Sequence, residues 1–246
     1  MANHVYFHID CDSPVKEFNE AFKYEEVERQ SYSGKETYKV KEMVDVHNQP
    51  FYANVDKTFD KDGWLEDSYS WYCDNVGAKW IDVEEAADGF VYGHSAWSPP
   101  IPFVENLVQH LSNICDGEIN ATMTYEDEFR NFVGKVYVGS HKHEDGQWSA
   151  HASDPIETDG EELMEQMFND YPFLRKEYEG DDFEWWNDYK NEDGEVVVPS
   201  EYMDYLVQNF MENNEWGSST TKCKNKEICS LQRSGQKVFI TYTHID

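Results

Sequence analysis

The chain has 246 residues, with 50 Asp and Glu against 20 Lys and Arg, for a formal net charge of −30 at pH 7. That length holds one or two domains with a sizeable core, and the charge excludes a surface that attracts nucleic-acid phosphate or anionic membrane. A mean hydropathy of −0.81 by itself suggests disorder, but eight Trp, 16 Tyr and 14 Phe are far more aromatic side chains than disordered segments carry.

In chain order, Val5-Tyr6-Phe7-His8-Ile9 reads as a strand. Ser13-Pro14 then suits an N-cap followed by proline in the first turn, with Phe18 and Phe22 at helical spacing through Tyr24. Tyr38, Val40, Val44 and Val46 suggest extended structure over 37–46, and the polar stretch 60–67 a loop. Lys79–Val83 and Phe90–His94 are β-prone, and the intervening 84–89 ends in Asp88-Gly89, a hairpin signal. Between Pro102 and Cys115, Phe103, Leu107 and Leu111 recur at i, i+4 with Val104 and Val108 beside them, which predicts an amphipathic helix. Strands follow at 119–125 and 132–138, joined by the acidic turn Glu126-Asp127-Glu128.

Residues 141–155 are rich in His, Gly and Ser and read as a loop or domain edge. Helices are expected at 159–170, with acids in the first turn suiting the helix dipole, and at 200–213, with Ser200 as cap. A basic stretch, Lys222–Lys226, precedes a final hairpin at 227–231 and 237–243. Strands and helices alternate without long parallel-type apolar runs, which predicts an α+β fold with an antiparallel sheet. The expected division is an α+β domain over 1–150 and an acidic, aromatic-rich helical extension over 151–246 that ends in a hairpin.

The negative charge concentrates in that extension. Residues 1–150 hold 28 acids and 12 bases (−16), 151–217 hold 20 and 3 (−17), and 218–246 hold 2 and 5 (+3). The first ten residues carry neither a basic nor an apolar leader region, and no apolar run reaches membrane-spanning length. The five cysteines (11, 73, 115, 223 and 229) are odd in number and scattered. Together these predict a cytoplasmic protein with free thiols.

Two motifs carry a family resemblance. Trp71-Tyr72-Cys73-Asp74-Asn75-Val76-Gly77-Ala78-Lys79-Trp80 and Ser95-Ala96-Trp97-Ser98-Pro99-Pro100, followed by the helix and two strands, resemble the YubB-type ferredoxin-like family of phages and conjugative plasmids over roughly residues 5–138. Val76 and Ala78 stand where that family tends to have Trp and Thr. The resemblance implies a ferredoxin-like sheet with helices on one face and a phage or plasmid setting, with no assigned reaction.

Three constellations could carry chemistry. Lys79, Trp80 and Trp97 could form a stacking pocket, since indole faces hold bases or cations; the alternative, that both tryptophans fill the core, is the expectation adopted. His141, His143 and His151 could share a metal ion if strand alternation put them on one face; read as a Gly- and Ser-rich loop, they are expected to bind none. The acidic–aromatic run holding Asp181, Asp182, Glu184, Trp185, Trp186 and Asp188 is the candidate partner-binding surface.

No phosphate-binding loop, dinucleotide fingerprint or nucleophile elbow is present. The expected function is therefore non-catalytic and without cofactor. We read a phage-type accessory protein in the host cytoplasm that binds a basic host protein, itself nucleic-acid-binding, as a nucleic-acid mimic or inhibitor of host defence. The alternatives are a nucleotide- or metal-dependent enzyme using the Trp80/Trp97 pocket, and a virion or assembly component whose acidity serves only solubility.

Overall fold

The computed structural model describes residues 3–31, 37–180 and 182–212. The expected terminal hairpin, the basic stretch before it, Asp181, Cys223 and Cys229 lie outside the described residues. The fold is mixed α+β, built on a large antiparallel sheet.

The first half runs β1 (His4–Cys11), α1 (Val15–Glu20), β2 (Tyr24–Gln30), β3 (Thr37–Met43), α2 (Ser68–Asn75), β4 (Ile81–Ala87), β5 (Phe90–Ala96) and α3 (Ile101–Cys115). Then follow β6 (Asn120–Asp127), β7 (Val133–Lys142), β8 (Trp148–Ala152), β9 (Ile156–Thr158), α4 (Gly160–Asp170), α5 (Pro172–Tyr178), β10 (Tyr189–Lys190), β11 (Val196–Val197) and α6 (Pro199–Glu212). The main sheet has the order β4-β5-β1-β6-β7-β8, with β9 also on β7, and every pairing is antiparallel.

Strand alternation divides the side chains between two faces. Val5, Phe7 and Ile9 of β1, Val91 of β5, Met123 and Tyr125 of β6 and Val136 and Val138 of β7 join Phe103, Leu107 and Leu111 of α3 in the main core. All of the α3 residues expected on its apolar stripe are fully buried. At about 25 cal/mol per Å² of apolar surface, each such side chain stabilises the fold by about 2 kcal/mol. The intervening residues form the second face. Over β7 that face is covered: Val133 packs with Leu163, Met167, Leu206 and Phe210 of α4 and α6. Buried Lys135 donates from Nζ to the carbonyl of Phe210 at 3.1 Å, placing a cation at the C-terminal end of α6.

Several expected boundaries move, each for a local reason. Helix α1 stops at Glu20, and Ala21 turns the chain into β2. The 84–89 connection shrinks to Asp88-Gly89, whose φ values of 53° and 99° make a two-residue turn, so both strands extend up to it. The α4 cap is Asp159, which accepts from the Glu162 amide at 2.9 Å. Ser200 lies inside α6, behind Pro199. Helix α2 buries only Trp71, so no apolar periodicity marks it in the sequence.

The largest correction concerns 141–155. It is no loop: β7 runs to Lys142, β8 pairs back on it with His141 opposite Ser149, and β9 continues on the same strand. Where β8 gives way to β9, the Ser153 amide donates to Tyr137 O at 2.7 Å and its hydroxyl accepts from the Tyr137 amide at 3.2 Å, bridging the gap before Pro155. Residue 150 therefore sits within a sheet strand.

The β2–β3 ribbon is a separate two-stranded sheet, largely exposed. Its base is clasped by buried Gln49, which accepts from the Lys23 amide and donates to Val44 O, both at 2.8 Å. Among the described residues no helix is long and apolar enough to cross a membrane. Cys11, Cys73 and Cys115 are free thiols.

Candidate partner-binding site

One end of the sheet gathers the start of β1, the approach to β4, the end of β5 and the β6–β7 turn. Hydrogen bonds stitch these together. The Trp97 amide donates to Asn3 O at 2.9 Å, the Ala96 amide to Trp80 O at 3.1 Å, and the Glu128 amide to His4 O at 2.8 Å. The Asn3 side-chain amide donates to Asp127, which is fully buried. The other carboxylate oxygen of Asp127 accepts from the amides of Phe129 and Asn131 at 3.2 and 3.1 Å, and from the Asn131 side chain. Asp127 thus fixes the turn that carries Phe129 and Arg130.

The two tryptophans expected in the core are not there. Trp97 is 50% exposed, and Trp80 is only half-buried. The Trp97 backbone has φ 72°, a conformation bulky residues rarely adopt. The reason for the miss is that β5 ends at Ala96, so Trp97 starts the turn into Pro99-Pro100 instead of continuing the inward alternation. Lys79 stands with Nζ 4.6 Å from the centre of the Trp97 ring, a cation–π contact. Trp80 packs edge-on against His4 and His94 at 5.4 and 5.5 Å between ring centres. His94 stacks on His4 at 5.0 Å and faces Glu84 at 3.2 Å.

The rest of the motif is architectural. Gly77, at φ 87°, lets Pro102 approach so closely that a Cβ would meet its ring at 2.4 Å. The Ser98 hydroxyl donates to Gly77 O at 2.6 Å.

The acidic–aromatic segment faces the β6–β7 turn across a cleft. Residues 184–187 form a turn in which the Asn187 amide returns to Glu184 O at 3.1 Å, and the α6 amide of Ser200 donates to Trp185 O at 3.0 Å. Phe183 stacks on Tyr189 at 5.1 Å and meets Trp185 edge-on at 5.3 Å, while Tyr178 meets Phe183 at 5.2 Å. This small aromatic core holds Trp185 half-inward and leaves Trp186 77% exposed. Asp182, Glu184 and Asp188 are exposed beside them.

Between this turn and the β6–β7 turn lies a cleft of about 530 Å³, lined among others by Phe129, Arg130, Met164, Trp185, Trp186 and Met203. Phe129 is 72% exposed. Arg130, at φ 55°, donates from Nε to Glu126 at 2.7 Å and pairs with Asp204 on α6. Its positive charge is therefore already met by two carboxylates, whose contacts hold its guanidinium above the usual arginine value even though burial opposes it.

Of the sequence-level candidates, Asp182, Glu184, Trp185, Trp186 and Asp188 come together on one turn, and Lys79, Trp80 and Trp97 on another at the sheet end. Phe129, Arg130, Met164 and Met203 were missed. The sequence held one usable signal for them: a phenylalanine at the tip of an acidic turn, where a side chain has no core to enter.

The arrangement offers exposed aromatic faces and uncompensated carboxylates. Of its cations, Lys79 and Arg130 are already occupied by internal partners. Such a surface attracts cationic side chains through ring quadrupoles and charge. No family model, curated protein or solved structure matches this chain.

Proposed function

We propose that the chain is a non-catalytic binding protein whose aromatic, carboxylate-rimmed sheet end docks a basic protein. The observation that carries the reading is the exposure of Trp186 and Phe129 on either side of a cleft in a chain of net charge −30. Exposed aromatic patches rimmed by polar groups mark interaction surfaces, and here the rim is acidic. A nucleic-acid-binding host protein fits that chemistry, with the chain as a mimic of nucleic acid or an inhibitor of host defence.

We further read the sheet as ferredoxin-like and the chain as a relative of the YubB-type family. The order β4-β5-β1-β6, with α1 between β1 and β4 and α3 between β5 and β6, supports this reading.

The test is a fluorescence titration of the full chain with a labelled arginine-rich peptide, repeated across salt and against duplex DNA. Saturable binding that weakens steeply with salt, is lost in a Trp186→Ala/Phe129→Ala variant, and has no counterpart with DNA supports the reading. Binding to DNA, or peptide binding unchanged in that variant, overturns it.

A further inference from the structure

We propose that His141, His143 and His151 form a binding site for a divalent transition-metal ion of the zinc type on the β7–β8 hairpin. The site lies at the opposite end of β7 from the Asp127–Asn131 turn, so it is independent of the docking reading.

The backbone supplies the first argument. His141 pairs directly with Ser149, and Gly139 with His151. The His143 amide closes the hairpin onto Gln147 O at 2.8 Å, and the Gly146 amide returns to His143 O at 2.9 Å. Strand alternation then puts His141, His143, Ser149 and His151 on one face. The condition that a loop could not meet, three imidazoles fixed to one surface, is met by a paired ladder.

The side chains supply the second. All three histidines turn Nε2 toward a single atom, the Ser149 hydroxyl oxygen: His143 at 2.8 Å, His141 at 3.1 Å and His151 at 3.5 Å. The rings of His141 and His143 are 4.6 Å apart, and those of His141 and His151 5.4 Å. As they stand, the nitrogens surround a hydroxyl, and among the described residues no three His, Cys, Asp or Glu side chains are set to hold an ion.

The movement needed is small. An imidazole nitrogen binds zinc at about 2.0–2.1 Å, so each Nε2 must close in by roughly 1 Å while the serine rotates aside. All three histidines are exposed and free to do so by side-chain rotation. A hydroxyl has one proton and two lone pairs, so the present cluster needs one imidazole to accept and two to donate. An ion replaces this mixed set with three nitrogen lone pairs, each ring carrying its proton on Nδ1.

The local field does not oppose a cation. Lys142 alternates to the other face, where its Nζ pairs with Asp116 and lies 5.4 Å from the Trp148 ring. Glu144 and Asp145 stand exposed in the adjoining turn. Three imidazoles leave coordination positions open, to be filled by water or by a side chain of another molecule.

The test is calorimetric titration of the chelator-washed full chain with zinc chloride at about pH 7.5, above the ordinary histidine pKa of about 6.5. Cobalt(II) absorption serves as a second readout. The expected result is one ion per chain, with His141→Ala, His143→Ala and His151→Ala each weakening binding by more than about tenfold. Ser149→Ala should bind zinc at least as well as the natural sequence, and His94→Ala should bind it equally. Circular dichroism confirms that the variants fold. Absence of saturable binding, binding unchanged in a His141→Ala/His151→Ala variant, or loss of the site in His94→Ala overturns the proposal.

Discussion

Replacing Asp127 with alanine should loosen the turn that presents Phe129 and Arg130, and the cost can be worked from its contacts. One carboxylate oxygen serves the amides of Phe129 and Asn131 and the Asn131 side chain; the other serves the Asn3 side chain. Hydrogen bonds to a charged acceptor contribute about 1.5–3 kcal/mol each when lost singly. The four share one group, and water can reach part of the turn, so they do not add; we expect about 3–4 kcal/mol. For a chain of this size that lowers Tm by about 10 °C.

Asp127→Asn separates the hydrogen-bond argument from side-chain volume. Its remaining oxygen can keep the three turn contacts. Its new NH2 then faces Asn3, whose Oδ1 is buried and finds no partner among the described residues. A flip of the Asn3 amide turns that oxygen toward the new donor. The expected cost is about 1 kcal/mol. Thermal unfolding followed by circular dichroism reads both variants. Equal losses for the two, or a shift below about 3 °C for alanine, would refute the reasoning.

Trp186→Ala should barely affect folding, because a ring 77% exposed buries only about 60 Å² and contributes about 1 kcal/mol; a Tm shift within about 4 °C together with at least tenfold weaker binding of an arginine-rich peptide is expected. At position 97 the usual order of alanine above glycine should reverse: the φ of 72° makes Trp97→Gly about 1 kcal/mol more stable than Trp97→Ala in urea unfolding. The fold should weaken on acidification from about pH 7 to pH 5. Burial holds His47 and His110 below the usual histidine value, so the unfolded chain takes up protons first and stability falls as pH drops through the unfolded pKa of about 6.5. His47→Gln should flatten part of that slope, and an unchanged slope would exclude His47 as a contributor.

Much of the architecture was legible in the sequence because it rests on local periodicity. The i, i+4 spacing of Phe103, Leu107 and Leu111 marked α3, the β-prone run Val5–Ile9 marked β1, and Asp88-Gly89 marked a hairpin, though not how short its turn is; each is set by side chains within a few residues of one another. The α+β class with an antiparallel sheet followed from those pieces. What only the tertiary structure decided depends on partners distant in sequence. Composition made 141–155 look like a loop, yet pairing with β7 made it strand and gathered three histidines around Ser149. Trp97 looked like core because tryptophan usually is, but the end of β5 one residue earlier turned it outward. The cleft between Phe129 and Trp186 joins segments more than fifty residues apart, and only the packing of α4 and α6 against Val133 and Lys135 brings them together. Periodicity tells which side of an element is apolar; which neighbour covers that side, and where an element stops, is settled by the packing of the whole chain.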